Sequence, residues 1–185
     1  MEHRGTVELE NERLLLRKFR LDDAYDMYNN WANDDDVTKY LTWKTYKSID
    51  DAKKTINEWT SKYDNDNFYQ WGIVLKEEGN ILIGSISVVY INDNTDTISV
   101  GYCISKNYWN KGITSEAFSI LINFFFNDVR VNRIEAFHNV YNISSGKVML
   151  KCGLKKEGVL REYLKDNTGI SDAAVYSILR RDYIS

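Results

Sequence analysis

The run Tyr108-Trp109-Asn110-Lys111-Gly112-Ile113-Thr114-Ser115-Glu116-Ala117 has the residue types of an anion cradle. Gly112 lets the backbone approach a ligand closely. A helix that starts beyond it offers unpaired N–H groups and partial positive charge. Lys111 adds a cation, and Thr114 and Ser115 add hydroxyls. Together they suit a phosphate or pyrophosphate. On local chemistry alone, an ordinary capped helix after a polar loop fits equally well. Neither the Walker phosphate loop nor the G-x-G-x-x-G dinucleotide string occurs. Two histidines and two distant cysteines, Cys103 and Cys152, give no ligand cluster, so neither a metal nor a disulfide framework is expected.

The elements around this loop follow from periodicity. Leu14–Phe19 reads as a strand. In a helix over Asp22–Ala32, Ala24, Met27, Tyr28 and Trp31 share a face, with Asp22 as its N-cap. A second helix, Ile49–Lys62, starts with capping-box spacing at Ser48 and Asp51. Strands at Phe68–Leu75, Ile81–Tyr90 and Thr97–Ile104 form an antiparallel meander. The helix from Gly112 to about Asn127 is apolar over most of its surface and belongs against the sheet. A strand at Arg133–His138, a helix at Ile143–Cys152 with Gly153 after it, and strands at Leu154–Leu160 and Ala173–Leu179 complete the chain. The expected fold is one α/β (α+β-like) domain. Its mixed, mostly antiparallel, twisted sheet has about seven strands and is flanked by about four helices.

The 185 residues suit a single domain. With 43% hydrophobic and 28% charged residues, the chain has the balance of a globular protein. A net charge of -3 argues against nucleic acid and leaves a basic acceptor open. Met1–Leu21 has no apolar core of a signal peptide, and no run approaches the ~20 apolar residues of a membrane span. A cytoplasmic protein without membrane partners, monomer or homodimer, is expected.

The loop is similar to the acetyl-CoA signature of the GNAT superfamily, [QR]-x-x-G-x-[GA], in the form W-G-K-G-Y-A-T-E-A. Trp109, Lys111, Gly112, Glu116 and Ala117 match; Asn110, Ile113, Thr114 and Ser115 depart. Thr114 puts a β-branched residue where a small one is usual. Val100-Gly101-Tyr102, Asn142-Ile143-Ser144-Ser145, Lys151-Cys152-Gly153-Leu154, Glu157 to Glu162 and Asp172 to Arg181 match further segments in order. The late strands resemble the RimJ/RimL-like subfamily, which acetylates ribosomal-protein N-termini.

The resemblance implies an acyltransferase moving acetyl from acetyl-CoA to a primary amine in a ternary complex, without a metal. The cofactor residues would be Cys103, Ile104, Asn110, Lys111, Gly112, Ile113, Thr114, Ser115 and Asn142. In the family the strand ending near Ile104 splays from its neighbour, and pantetheine pairs with its backbone. Ser145 matches a serine proposed to protonate the leaving thiolate; its other reading is a first-turn residue under an Asn142 cap. The family's usual acid before the Gly-Tyr pair is replaced by Ser99, and its late-strand carboxylate falls on Leu164. Glu162, two residues earlier and so on the same strand face, is the candidate base or amine-binding group, or else a solvated glutamate. Glu135 and His138 are weaker candidates. Trp31, Tyr40, Trp43 and Tyr46 are candidates for the acceptor wall, with core packing the rival for Trp31.

An α-amine has a pKa of about 8 and a lysine amine about 10.4, so a site without a strong base suits the α-amine. Acetylation of a small-molecule amine such as an antibiotic or polyamine, and a catalytically weak acetyl-CoA-binding module, are the other readings.

Overall fold

Alternating apolar residues along the strands build one eight-stranded sheet in the computed structural model, which describes residues 1–184. In chain order the elements are β1 (Leu9–Glu10), β2 (Leu14–Arg17), α1 (Ala24–Met27), α2 (Asp35–Thr38), α3 (Ile49–Thr60), β3 (Gln70–Leu75), β4 (Ile81–Asn92), β5 (Thr97–Ile104), α4 (Ile113–Phe124), β6 (Arg133–Asn139), α5 (Ile143–Lys151), β7 (Lys155–Asp166), β8 (Gly169–Leu179) and α6 (Arg180–Ile184). The sheet order is β1-β2-β3-β4-β5-β6-β8-β7. Every pairing is antiparallel except β5 with β6. The strand beyond the expected seven is β1, two residues long and too short to show a pattern.

Each face of the sheet carries its own core. Leu14, Leu16, Ile98, Val100, Ile134, Ala136, Tyr176 and Ile178 pack with Phe118, Leu121 and Phe125 from α4 and its extension, and with Met149 from α5. Burying each large apolar side chain contributes about 1.5–3 kcal/mol. The residues between them point the other way. There Phe19, Val74 and Leu82 pack with Met27, Trp31 and Ile56, and Cys103 lies against this second core.

Local corrections concern helix ends. The first predicted helix is divided into a tight turn at Leu21–Asp23, α1, and a wide turn at Tyr28–Ala32. The first turn is capped at Arg20, not Asp22: the Asp23 carboxylate closes a capping box by accepting from the Arg20 N–H at 2.7 Å, and it is bidentate with Arg17 at 2.7 and 2.8 Å. The capping box at Ser48 and Asp51 forms as expected. Gly153 takes the left-handed conformation after α5, at φ 84°.

One irregularity positions the site. β5 and β6 pair only over Thr97–Ser99 with Arg133–Glu135. Beyond those residues β5 continues along β4 to Ile104, and β6 continues along β8 to Asn139. The facing edges separate into a fork that opens toward the N-terminus of α4.

Candidate active site

The loop that enters α4 is held by its own side chains. Trp109 Nε1–H donates to the Ile104 carbonyl at 3.0 Å, fastening the loop to the end of β5. Lys111 Nζ lies over the Tyr108 ring at 5.0 Å. Asn110 and Gly112 are both left-handed, at φ 61° and 77°. Asparagine and glycine tolerate that region best. Ile113 and Ser115 are buried, and Thr114 is half-buried. The Glu116 carboxylate is drawn away from the helix end by Asn11 at 2.7 Å and Arg13 at 2.9 Å, leaving the amide end electropositive.

Lys151 was not singled out as a ligand in the sequence. Its Nζ would lie 3.3 Å from a Cβ placed on Gly112. A second ammonium therefore stands over the cradle, carried by the last turn of α5. Glycine at 112 serves both the left-handed turn and this close approach. The arrangement fits a pyrophosphate: helix-end amides, two lysines and a glycine floor.

The fork supplies a slot between two unpaired backbone edges. The Ser105 N–H donates to the Ile83 carbonyl of β4 at 2.8 Å. Amide directions alternate along a strand, so Cys103 also faces β4 while Tyr102 and Ile104 face the fork. Of the two amides that the resemblance assigns to pantetheine, that of Ile104 faces the fork and that of Cys103 faces β4; the Tyr102 amide also faces the fork. The Cys103 thiol is buried beside Ser85 Oγ at 3.4 Å, and burial pushes its pKa up.

Ser145 stands in the first turn of α5. Asn142 caps that turn: its side chain accepts from the Ser145 N–H at 3.4 Å, and its carbonyl from the same N–H at 3.1 Å. The cap reading of Asn142 thus holds. Ser145 has a partner the sequence did not suggest. Tyr102 Oη lies 3.0 Å from Ser145 Oγ and 3.1 Å from the Ser145 carbonyl oxygen. Burial raises the Tyr102 pKa, so the phenol stays protonated and acts as a donor.

On the opposite face lie the residues that the resemblance assigns to the acceptor. Trp31 is fully buried in the core under α1 and does not line an open wall, correcting that expectation. Trp43 and Tyr46 are half-buried beside the same core as Cys103, their rings 5.1 Å apart. Tyr46 Oη bonds Thr55 Oγ1 at 2.6 Å, and burial raises its pKa. Tyr40 is partly exposed, with Lys39 over its ring. From across the cleft, Asn167 at the β7–β8 turn donates to the carbonyls of Thr38 at 2.9 Å and Trp43 at 2.8 Å. This asparagine ties the hairpin to the loop carrying Trp43.

Glu162 does not sit where alternation put it. Between the pairs Leu160↔Ala173 and Leu164↔Ser171, β7 spends four residues on two of β8. Glu162 is left-handed in that bulge, at φ 51°, and its N–H donates to Asp172 at 2.8 Å. The same-face argument from Leu164 therefore fails, because a bulge breaks the two-residue period. Glu162 is exposed and, with Leu160, Arg161, Tyr163 and Asp172, borders a surface cavity of about 730 Å³. His138 points under α5, with Nδ1 2.7 Å from the Asn139 carbonyl, and is no part of the acceptor face. Among the described residues there is no cluster of metal-ligand type, and no helix is long and apolar enough to cross a membrane.

Comparison with known proteins gives the same picture. The family profile described as acetyltransferase (GNAT) domain matches residues 13–155. The chain is 32% identical over 175 residues to the uncharacterized N-acetyltransferase p20 of Bacillus licheniformis, covering 95% of this chain and 97% of the relative. It is 22% identical over 166 residues to the [ribosomal protein uS5]-alanine N-acetyltransferase of Escherichia coli, covering 85% and 83%. A crystal structure of a GNAT-family acetyltransferase from Bacillus anthracis superposes with a TM-score of 0.82 at 27% identity, covering 95% of this chain and 99% of that one.

Proposed function

The chain belongs to the GNAT acetyltransferase family and is an acetyl-CoA-dependent N-acetyltransferase, and from that premise we propose that its acceptor is the α-amine of a protein or peptide N-terminus. One observation carries this choice. Ser99, at the closed end of the fork, and Leu164, on the late strand, stand where the resemblance expects carboxylates, so those two positions offer none. An α-amine with a pKa of about 8 is roughly a quarter neutral near pH 7.5, against about one lysine in a thousand. Modest help suffices for the first and not for the second. The similarity to a uS5-alanine N-acetyltransferase points the same way.

Bound acetyl-CoA supplies the acyl group and a thiolate leaving group. The pyrophosphate would be held by the amides of Gly112–Ser115 with Asn110, Lys111 and Lys151, and the pantetheine by the fork-facing amides of Tyr102 and Ile104. Holding amine and thioester together in a ternary complex contributes much of the rate. Ser145 Oγ protonates the thiolate, while Tyr102 donates to the Ser145 carbonyl and holds the hydroxyl in position. Glu162, Trp43 and Tyr46 border the acceptor's approach. The two free cysteines suit the reducing cytoplasm.

A thiol-release assay tests the reading, with free-N-terminus peptides, Nα-acetylated lysine peptides, polyamines and aminoglycosides as acceptors. Turnover on free-N-terminus peptides at least tenfold above the rest is expected. Equal turnover on the blocked lysine peptides overturns it.

A further inference from the structure

We propose that Glu135 is the carboxylate that receives the acceptor's ammonium group and takes its proton; this rests on the acetyl-transfer reading above. The sequence left Glu135 undecided because one strand residue can face either side of a sheet. Pairing settles its face. Tyr90 of β4 pairs with Ser99 of β5, Ser99 with Glu135 of β6, and Glu135 with Ser177 of β8. Residues paired across neighbouring strands project from one face, so these four form a row across the sheet. Cys103 is on the face of Ser99, two steps of two residues along β5, and it packs against the same second core as Trp43 and Tyr46. Glu135 is therefore on the acceptor face. It also terminates the β5–β6 ladder and stands where the fork closes.

The fork's direction gives that place its chemistry. Its open end leads to the cradle at α4, where the pyrophosphate is bound. An arm starting there and lying between the two edges points its far end toward the closed end, where Glu135 stands. Tyr102, whose hydroxyl contacts Ser145, is three residues from Ser99, so about 10 Å along the strand and on the other face of the sheet. An amine attacking between them lies within reach of Glu135 directly or across one water.

The carboxylate is held in place with one oxygen unoccupied. Arg133 Nε–H donates to Glu135 Oε2 at 3.0 Å. Arg133 also grips Glu157 with both guanidinium nitrogens, at 2.7 and 2.6 Å, and Ser177 Oγ donates to Glu157 at 2.5 Å. Arg133 holds the Glu157 carboxyl far below its usual range, at about 2. Glu157 is thereby committed to the arginine. Glu135 Oε1 has no hydrogen-bond partner among the described residues, and the side chain retains 15% of its exposure. Two carboxylates around one guanidinium leave one negative charge for a cation.

The protons balance. The ammonium gives one proton to Glu135 Oε1, which passes it to solvent. The nitrogen lone pair forms the C–N bond and the C–S bond breaks. The nitrogen's second proton, shed as the amide forms, replaces the one Ser145 gives to the thiolate. The sum is amide, free thiol and one proton released.

The test is the pH dependence of kcat/KM for wild type, Glu135→Gln and Glu135→Asp, with an N-terminal peptide that wild type turns over. Without a proton-accepting carboxylate, only amine already neutral in solution reacts. Glu135→Gln should lose 10- to 100-fold at pH 6.5 and recover to within threefold of wild type at pH 9. Its acid limb should move up to the peptide's own amine pKa, and move again when a peptide of lower amine pKa is used. Glu135→Asp should restore part of the activity at pH 6.5. An equal loss at every pH means a structural role and overturns the proposal, as does an unchanged profile. If wild type releases no thiol with any amine, it is the acetyl-transfer reading that fails. Coenzyme titration of each variant shows that it is folded and binds the donor.

Discussion

Tyr102 on β5 and Ser145 on α5 meet hydroxyl to hydroxyl at 3.0 Å, 43 residues apart in sequence. The phenol donates its one proton to the Ser145 carbonyl at 3.1 Å, and its oxygen holds the serine hydroxyl in place beside the fork. Ser145→Ala should lower kcat 10- to 100-fold, at the low end of what general acid catalysis contributes. Tyr102→Phe should lose about as much, and the double variant little more than either, since the two act as one unit. Thiol release measures the rate, and coenzyme titration should show Kd within threefold of wild type. Independent, multiplying losses would mean that the hydroxyls do not cooperate.

The cradle predicts a charge effect separable from chemistry. Lys151→Met removes the ammonium over Gly112 and should weaken acetyl-CoA binding five- to tenfold, with kcat nearly constant at saturation. The loss should shrink as salt is raised. Gly112→Ala forces a Cβ into a left-handed position 3.3 Å from Lys151 Nζ, costing about 1 kcal/mol of stability or more as well as affinity. Calorimetric titration and thermal melts separate the two effects.

His138 predicts a pH-dependent stability. His138 is 8% exposed, Nε2 has no hydrogen-bond partner among the described residues, and a Cβ on Gly146 would sit 2.7 Å from that nitrogen. Burial, together with the charge of Lys156, lowers its pKa below the ordinary 6.5. The unfolded chain therefore takes up the proton first. The stability contributed by neutral His138 is complete above about pH 6.5 and is lost as pH falls from there toward the depressed value. Urea melts between pH 5 and 8 should show this loss in wild type and a smaller one in His138→Leu. Identical slopes would remove the histidine from the account.

The tie at Asn167 predicts an effect confined to the acceptor. Asn167→Ala releases the carbonyls of Thr38 and Trp43, so the wall carrying Trp43 and Tyr46 loses its anchor to the hairpin. KM for the peptide should rise about three- to tenfold while Kd for acetyl-CoA stays put. A change in coenzyme affinity of equal size would show that the tie shapes the donor side too.

Most of the fold is legible in the sequence because apolar periodicity decides it. The meander, the buried α4 and the short α5 with its Gly153 end emerge from spacing alone. The loop at Gly112 needs its neighbours: one glycine before a helix is ambiguous, and ordered matches on both sides give it meaning. What stays hidden is set by tertiary pairing. Tyr102 and Ser145 carry no joint pattern, Lys151 reaches the cradle only when α5 lies beside α4, and the face of Glu135 depends on which strands flank β6. Trp31 shows the limit of reading a helix face, since a core side and a ligand side look alike in sequence. Glu162 shows the limit of the two-residue period.

The bulge that displaced Glu162 also shapes the outer edge of the sheet. β7 is the last strand of the sheet, twelve residues long, with Val159, Leu160 and Tyr163 exposed. A flat edge of that length and composition is a template for aggregation. Two surplus residues between Leu160 and Leu164 kink and twist it, so a second edge can dock in register on only part of its length. Shortening β7 by two residues there would straighten the edge and trade solubility for stickiness.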